Sequence, residues 1–254
     1  MKIIASKDNP LFKTLSKIES SSRERKASGK TLLDGIHLVS ACLESGLKPE
    51  LIVLKESLKN NHEFIELNEY NGTVLMSDSL FDRISTVRCP TGILALIPVP
   101  AERPDASPDC CIFLDEIQDP GNMGAILRAA AASGASDAFL SKGCADPWSP
   151  KVLRAGMGAH FGIRIHMDSD IGKIITHFEG NTVAMTLEAE QSIFELDLRG
   201  KVGFLIGNEG SGISDKLLSF AGTRAKIPMP GKIESLNAAQ AAAICLFERV
   251  RQST

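Results

Sequence analysis

At 254 residues, with 43% hydrophobic and 23% charged residues and a net charge of −3, the chain has the volume for one large or two modest cores. Its longest apolar runs, such as GILALIPV, fall far short of the roughly 18 residues that span a bilayer, and the start MKIIASKDNP lacks a signal-peptide h-region, so a cytoplasmic protein with no membrane partner is expected. The slight acidity argues against a dedicated nucleic-acid binder.

Local charge tells a different story at the start. Residues 1–30 hold eight basic side chains (Lys2, Lys7, Lys13, Lys17, Arg23, Arg25, Lys26 and Lys30) against Asp8, Glu19 and Glu24. This excess suits a phosphate backbone as well as it suits a solvated helix face. Leu11, Leu15 and Ile18 recur at helical spacing, as do the apolar residues of HLVSACLESG, which ends on a glycine. LIVL (51–54), TVLM (73–76) and GILALIPV (92–99) read as short buried strands. Their alternation with helices predicts a small α/β domain over 1–98, without a nucleophile, an acid–base pair or a phosphate loop. PVPAERPDASPD then places four prolines in twelve residues, and a semi-rigid linker is expected over 99–109.

From 110 to 254 the strands recur as CCIFLDEI (110–117), AFLS (138–141), IRIHM (163–167), TVAMT (182–186), VGFLIG (202–207) and AKIPM (225–229). Continuous apolar strands between helices predict a mostly parallel sheet covered on both faces. Ligands bind such sheets beyond the strands' carboxyl ends. Three segments there stand out. In DPGNMGAILRAAAASGA (119–135), Asn122 reads as the helix N-cap. Gly124 and Arg128 share a face one turn apart, and the apolar neighbours of Arg128 call for a partner to its charge. In GNEGSGIS (207–214), three glycines flank an amide and a carboxylate, and Glu209 has no basic residue within six positions. It is neither a P-loop nor a G-x-G-x-x-G turn. In KIPMPGKIESLNAAQAAAICLF (226–247), two prolines stiffen the backbone before Ser235 and Asn237. Capping accounts for Ser235, but not for Asn237 together with an alanine face suited to close packing on helix 125–135 of the same or a second subunit.

Six cysteines at 42, 89, 110, 111, 144 and 245 form no C-x-x-C pair and read as reduced thiols, mostly buried. The five histidines show no ligand spacing, so no metal is expected. No Ser–His–Asp or Cys–His set accompanies the three segments, which disfavours a covalent hydrolase.

NMGAILR, IGNEGSGIS and IPMPGKIESLNAAQA resemble, in order and spacing, the three motifs of the SpoU/TrmH group of the SPOUT superfamily, RNA ribose 2′-O-methyltransferases. SPKVLRAGMGAHFGIRI (149–165) resembles the stretch between the first two motifs, and the first half resembles the group's substrate-binding domain more loosely. The resemblance implies an α/β fold with a deep C-terminal trefoil knot, S-adenosylmethionine as cofactor and a homodimer formed through the catalytic domain. It implies structured RNA as partner, and the added N-terminal domain leans toward 23S ribosomal RNA over transfer RNA. By motif, Arg128, Asn122, Glu209, Ser235 and Asn237 match active-site positions. Gly207, Ile227 and Leu236 match cofactor-contacting positions, with Met229 beside them. Arg128 would stabilise the ribose alkoxide, the amides and Ser235 would hold geometry, and Glu209 would organise the site. Ala129 and Ala238-Ala239 depart from the group's usual residues. The alternatives are the same transfer on transfer RNA, or a non-catalytic RNA-binding or ribosome-assembly factor on the same fold.

Overall fold

The structure, a computed structural model, describes residues 3–61, 64, 70, 72–87, 89–101 and 108–254. Lys2 of the basic segment and residues 102–107 of the proline-rich linker lie outside the described residues. The chain divides into two compact units, Met1–Ala101 with Trp148–Gly158, and Glu102–Pro147 with Ala159–Thr254.

The first unit contains β1 (Ile3–Ile4), α1 (Pro10–Ser20), α2 (Ser22–Ser28), β2 (Lys30–Asp34), α3 (Ile36–Glu44), β3 (Leu51–Lys55), β4 (Thr73–Met76), α4 (Asp78–Ile84) and β5 (Ile93–Pro98). Its sheet runs in the order β1-β4-β3-β5-β2. The pairs β1–β4 and β3–β4 are parallel, whereas β5 is antiparallel to β3 and β2. Leu15 and Ile18 of α1 are buried with Leu32, Val53, Met76, Phe81 and Leu94, so the helical spacing of the first leucines marks a core stripe. The basic segment is partly spent on structure. Arg25 is buried and donates to the carbonyls of Ile18 and Glu19, capping the end of α1. Lys13 pairs with Asp8 and Lys30 with Glu50.

The second unit carries β6 (Cys110–Leu114), α5 (Pro120–Ala132) and β7 (Asp137–Leu140) before the chain gives α6 (Pro150–Gly156) to the first unit. It continues with β8 (Arg164–His166), α7 (Ile171–His177), β9 (Asn181–Met185), β10 (Val202–Ile206), α8 (Asp215–Leu218), β11 (Thr223–Ala225) and α9 (Ala238–Ser253). The six strands are all parallel, in the order β11-β9-β10-β6-β7-β8. Every residue of β6 and β10 is buried, as continuous apolar strands require when both sheet faces are covered. On one face Cys111, Phe113 and Leu205 pack with Ile171, Ile175 and Ile213. Elsewhere α9 packs on β10 and on α5, so the two alanine-rich helices meet within one chain.

The strand expected at 225–229 is corrected. The ladder covers only Thr223–Ala225, because Pro228 and Pro230 cannot donate to it and Lys226 instead bridges to Ser192. The six thiols are free, four of them buried, and Cys89 is exposed. Burial pushes the Cys42 thiol up to about 11 and that of Cys245 up to about 12.

Candidate active site

From β6 the chain proceeds outward to β7 and β8, then returns to β9 so that β10 fills the place beside β6. The strand order therefore reverses between β6 and β10, and the crevice beyond their carboxyl ends is where an open parallel sheet receives a ligand. The segments 115–122 and 207–214 meet there.

The first is shaped by Asp119. Its carboxylate Oδ1 accepts the N–H of Asn122 at 2.8 Å, with Pro120 at the first helical position. Asn122 is thus not the N-cap, a correction: it lies inside the first turn, where its side chain is released from capping. The Asp-Pro pair was the signal, since proline favours the position just after a cap. The freed Asn122 donates from Nδ2 to Glu209 Oε1 at 2.9 Å. Glu209 also accepts the N–H groups of Gln118 and Asp119, both at 3.4 Å.

The third segment joins through Asn237, the N-cap of α9, whose Oδ1 accepts Ala239 N–H at 2.9 Å. Its Nδ2 donates to Asn122 Oδ1 at 2.7 Å. The polarity of the chain follows from its ends: Ala239 N–H can only donate, and ionised Glu209 can only accept. Both amides between them are therefore fixed in orientation. Burial raises the Glu209 carboxyl, but hydrogen bonds from Asn122 and from the backbone outweigh it, so the pKa lies below the ordinary glutamate value.

Ser235, favoured as the cap of the last helix, is corrected: Asn237 caps it, and Ser235 is exposed in the preceding loop with no side-chain hydrogen bond among the described residues. Arg128 also departs from expectation. The turn of α5 buries Ile126, Leu127 and Ala130 but leaves Arg128 on an outward stripe with Ala125 and Ala132. It has no ion pair among the described residues, and exposure removes the desolvation cost that called for one.

Gly207 follows β10 at a point where no side chain fits. A Cβ there would stand 2.4 Å from the carbonyl carbon of Gly212 and 2.5 Å from Ile213 N, both main chain. Ile227 and Met229, with Pro228, Pro230, Ile233 and Glu234, line a cavity of about 550 Å³, whereas Gly207 and Leu236 do not line it. The sequence reading missed Asn208. Its Nδ2 donates to the Glu116 carbonyl at 2.8 Å, and its Oδ1 accepts from Gly210 and Ser211. An asparagine in a glycine-rich loop is the usual mark of such a side-chain turn.

Among the described residues no group of three or more His, Cys, Asp and Glu is placed to hold a metal ion, and no helix is long and apolar enough to cross a membrane.

Comparison with known proteins places these features in a lineage. The model of the SpoU rRNA methylase family matches residues 109–247, and that of the MRM3-like substrate-binding domain matches residues 9–95. The 23S rRNA (guanosine(2553)-2′-O)-methyltransferase RlmP of Bacillus subtilis is 31% identical, over 97% of this chain and 98% of its own. An AdoMet-bound rRNA methyltransferase from Sinorhizobium meliloti superimposes with a TM-score of 0.87 at 27% identity, over 100% of this chain and 98% of that one. The SpoU methyltransferase AviRb from Streptomyces viridochromogenes, in complex with AdoMet, does so with a TM-score of 0.85 at 25% identity, over 96% and 99%. Motifs, fold and a family match spanning more than half of its length agree: the chain belongs to the SpoU rRNA methylase family.

Proposed function

We propose that this protein transfers the methyl group of S-adenosylmethionine to a ribose 2′-hydroxyl of structured RNA, with 23S ribosomal RNA as the substrate. The observation that carries the reading is the hydrogen-bonded chain Asn237–Asn122–Glu209, which unites the three motifs at the switch point of the parallel sheet. Full-length similarity to RlmP, whose name specifies 2′-O-methylation of a 23S guanosine, favours ribosomal RNA over transfer RNA.

The residues present fit the cofactor. A cavity of about 550 Å³ lies within the roughly 300–1,000 Å³ range of small-ligand sites. Ile227, Met229 and Ile233 offer apolar surface to a purine, Glu234 offers an anion to a cationic group, and Gly207 permits close approach of main chain. When bound, the cofactor supplies a sulfonium methyl that is already electrophilic. The protein's task is then to align and activate a weakly acidic hydroxyl. Arg128 is held about 9 Å along the helix axis from Asn122, six residues at 1.5 Å each. Unpaired and exposed, it presents a positive charge that stabilises the ribose oxygen as its proton passes to solvent water. Asn122 and Asn237, locked in orientation, hold the ribose for in-line transfer, and Ser235 contacts it from the loop before α9. Glu209, whose pKa the bonds from Asn122 and the backbone lower, anchors the amides. The knot, formed by threading of the segment after β11, and a homodimer through the second unit complete the proposal. The placement of α9 against α5 and β10, away from the edge strand β11 that precedes it, supports the threading.

Mapping alkali-resistant linkages in 23S rRNA from cells with and without the gene tests the substrate. Loss of one 2′-O-methyl site in the deletion strain is expected. An unchanged 23S map with a site lost from transfer RNA moves the activity to the latter.

A further inference from the structure

We propose that Asn208 is a positioning residue for the methyl transfer, acting by holding Glu116 in a left-handed conformation that aims the N–H groups of Gln118 and Asp119 at Glu209. The role in transfer rests on the function proposed above. The positioning itself rests on geometry.

Glu116 has φ +51°, and only Met157 and Asp168 share a positive φ among the described non-glycine residues. A side chain in that region is disfavoured and persists only where its surroundings over-determine it. Here they do, on both sides of the residue. The Glu116 carbonyl accepts Asn208 Nδ2 at 2.8 Å, and its N–H donates to Ser141 Oγ at 2.9 Å. The side chain packs over Gly143, where an added Cβ would stand 3.3 Å from Glu116 Cγ. The two residues that follow Ile117 then turn their N–H groups onto the Glu209 carboxylate.

Asn208 is suited to this because its own loop is rigid. Its backbone N–H and C=O pair with those of Gly212, both at 3.0 Å, and its Oδ1 takes the N–H groups of Gly210 at 2.8 Å and Ser211 at 3.0 Å. One amide side chain thus closes the 208–212 turn with its oxygen and reaches across to 116 with its nitrogen. Glu209, the next residue, is carried to the same place. The pair ties the second motif to the loop in front of the first.

The two halves of the amide separate by substitution. Asn208→Asp keeps the acceptor for Gly210 and Ser211 but sets an anion against the Glu116 carbonyl, while Asn208→Ala removes both contacts. Both variants are expected to lose about 10- to 100-fold in kcat on RNA, the scale of a misplaced active-site group, with KM for RNA changed far less. Adding Glu116→Gly to Asn208→Ala should recover part of that loss, because glycine adopts the left-handed conformation without being held. Carbon-13 NMR titration of the Glu209 carboxyl gives a readout that needs no RNA: the midpoint should rise in Asn208→Ala as its backbone donors turn away. An Asn208→Asp enzyme with wild-type kcat, or a Glu209 midpoint unmoved in Asn208→Ala, overturns the inference. Absence of methyl transfer by the wild-type protein would instead count against the proposed function, and the titration still decides whether Asn208 positions Glu209.

Discussion

Gly207 and Glu209 stand two residues apart and are constrained in opposite ways. At Gly207 the obstacle to a side chain is main chain, which cannot rotate aside. Gly207→Ala should push the 207–212 loop off the end of β10 and weaken S-adenosylmethionine binding by about tenfold or more, the equivalent of roughly 1.4 kcal/mol, as read by calorimetry. An alanine variant with wild-type affinity would show that the close approach at this glycine is unrelated to the cofactor. Glu209 makes a prediction about acidity. Its folded pKa is depressed, so the stabilisation it draws from Asn122 and the backbone is present above the ordinary glutamate value and is lost only as pH falls through a still lower one. The pH–rate profile should therefore show no limb from this carboxyl near neutrality. Glu209→Gln should lower kcat at every pH by removing the anion that orients Asn122. A glutamine enzyme of full activity would contradict the anchoring role.

Among the elements, the central strands were the most legible. CCIFL and VGFLI are short apolar runs between turn residues, the pattern of a strand buried on both faces, and β6 and β10 are adjacent in the sheet. Element ends were less legible because they depend on single contacts. Asp119, not Asn122, takes the cap since Pro120 fixes the first helical position, and β11 stops at Ala225 once prolines break its ladder. Asp137 shows what a sequence cannot announce. This fully buried carboxylate opens β7 opposite Arg164, which holds it with two hydrogen bonds of 2.8 and 2.6 Å, while Ser136 and His166 supply two more. Burial alone would raise its pKa. The bonds from His166, Arg164 and Ser136 reverse the sign and hold it well below the usual carboxylate range. Its stabilisation is thus fully present at neutral pH and persists into strongly acid solution. Asp137→Ala should cost about 2 kcal/mol in chemical denaturation, less than a fully buried pair because Arg164 reaches solvent. A change within about 0.5 kcal/mol, the range of an ordinary surface substitution, would mean the cluster is not structural.

At the scale of the whole molecule, three short segments far apart in sequence become neighbours at one end of one sheet, and the proposed site depends on that meeting. Their residue types were readable, and so was the rule that places ligands beyond strand ends. The hydrogen-bond order among them was not, because it depends on which amide caps which helix. The connection between β7 and β8 held another surprise: Trp148–Gly158 belongs to the first unit, where Thr31 Oγ1 donates to the Trp148 carbonyl at 2.6 Å. Hydrophobic spacing does not reveal such a lending of chain. The most direct measurement for the account is transfer of labelled methyl from S-adenosylmethionine to 23S rRNA by the purified protein, followed by digestion to nucleosides. Label in a 2′-O-methylnucleoside, lost in Arg128→Ala and Asn122→Ala proteins that still fold, is the predicted result; label on a base, or full transfer by those variants, would contradict it.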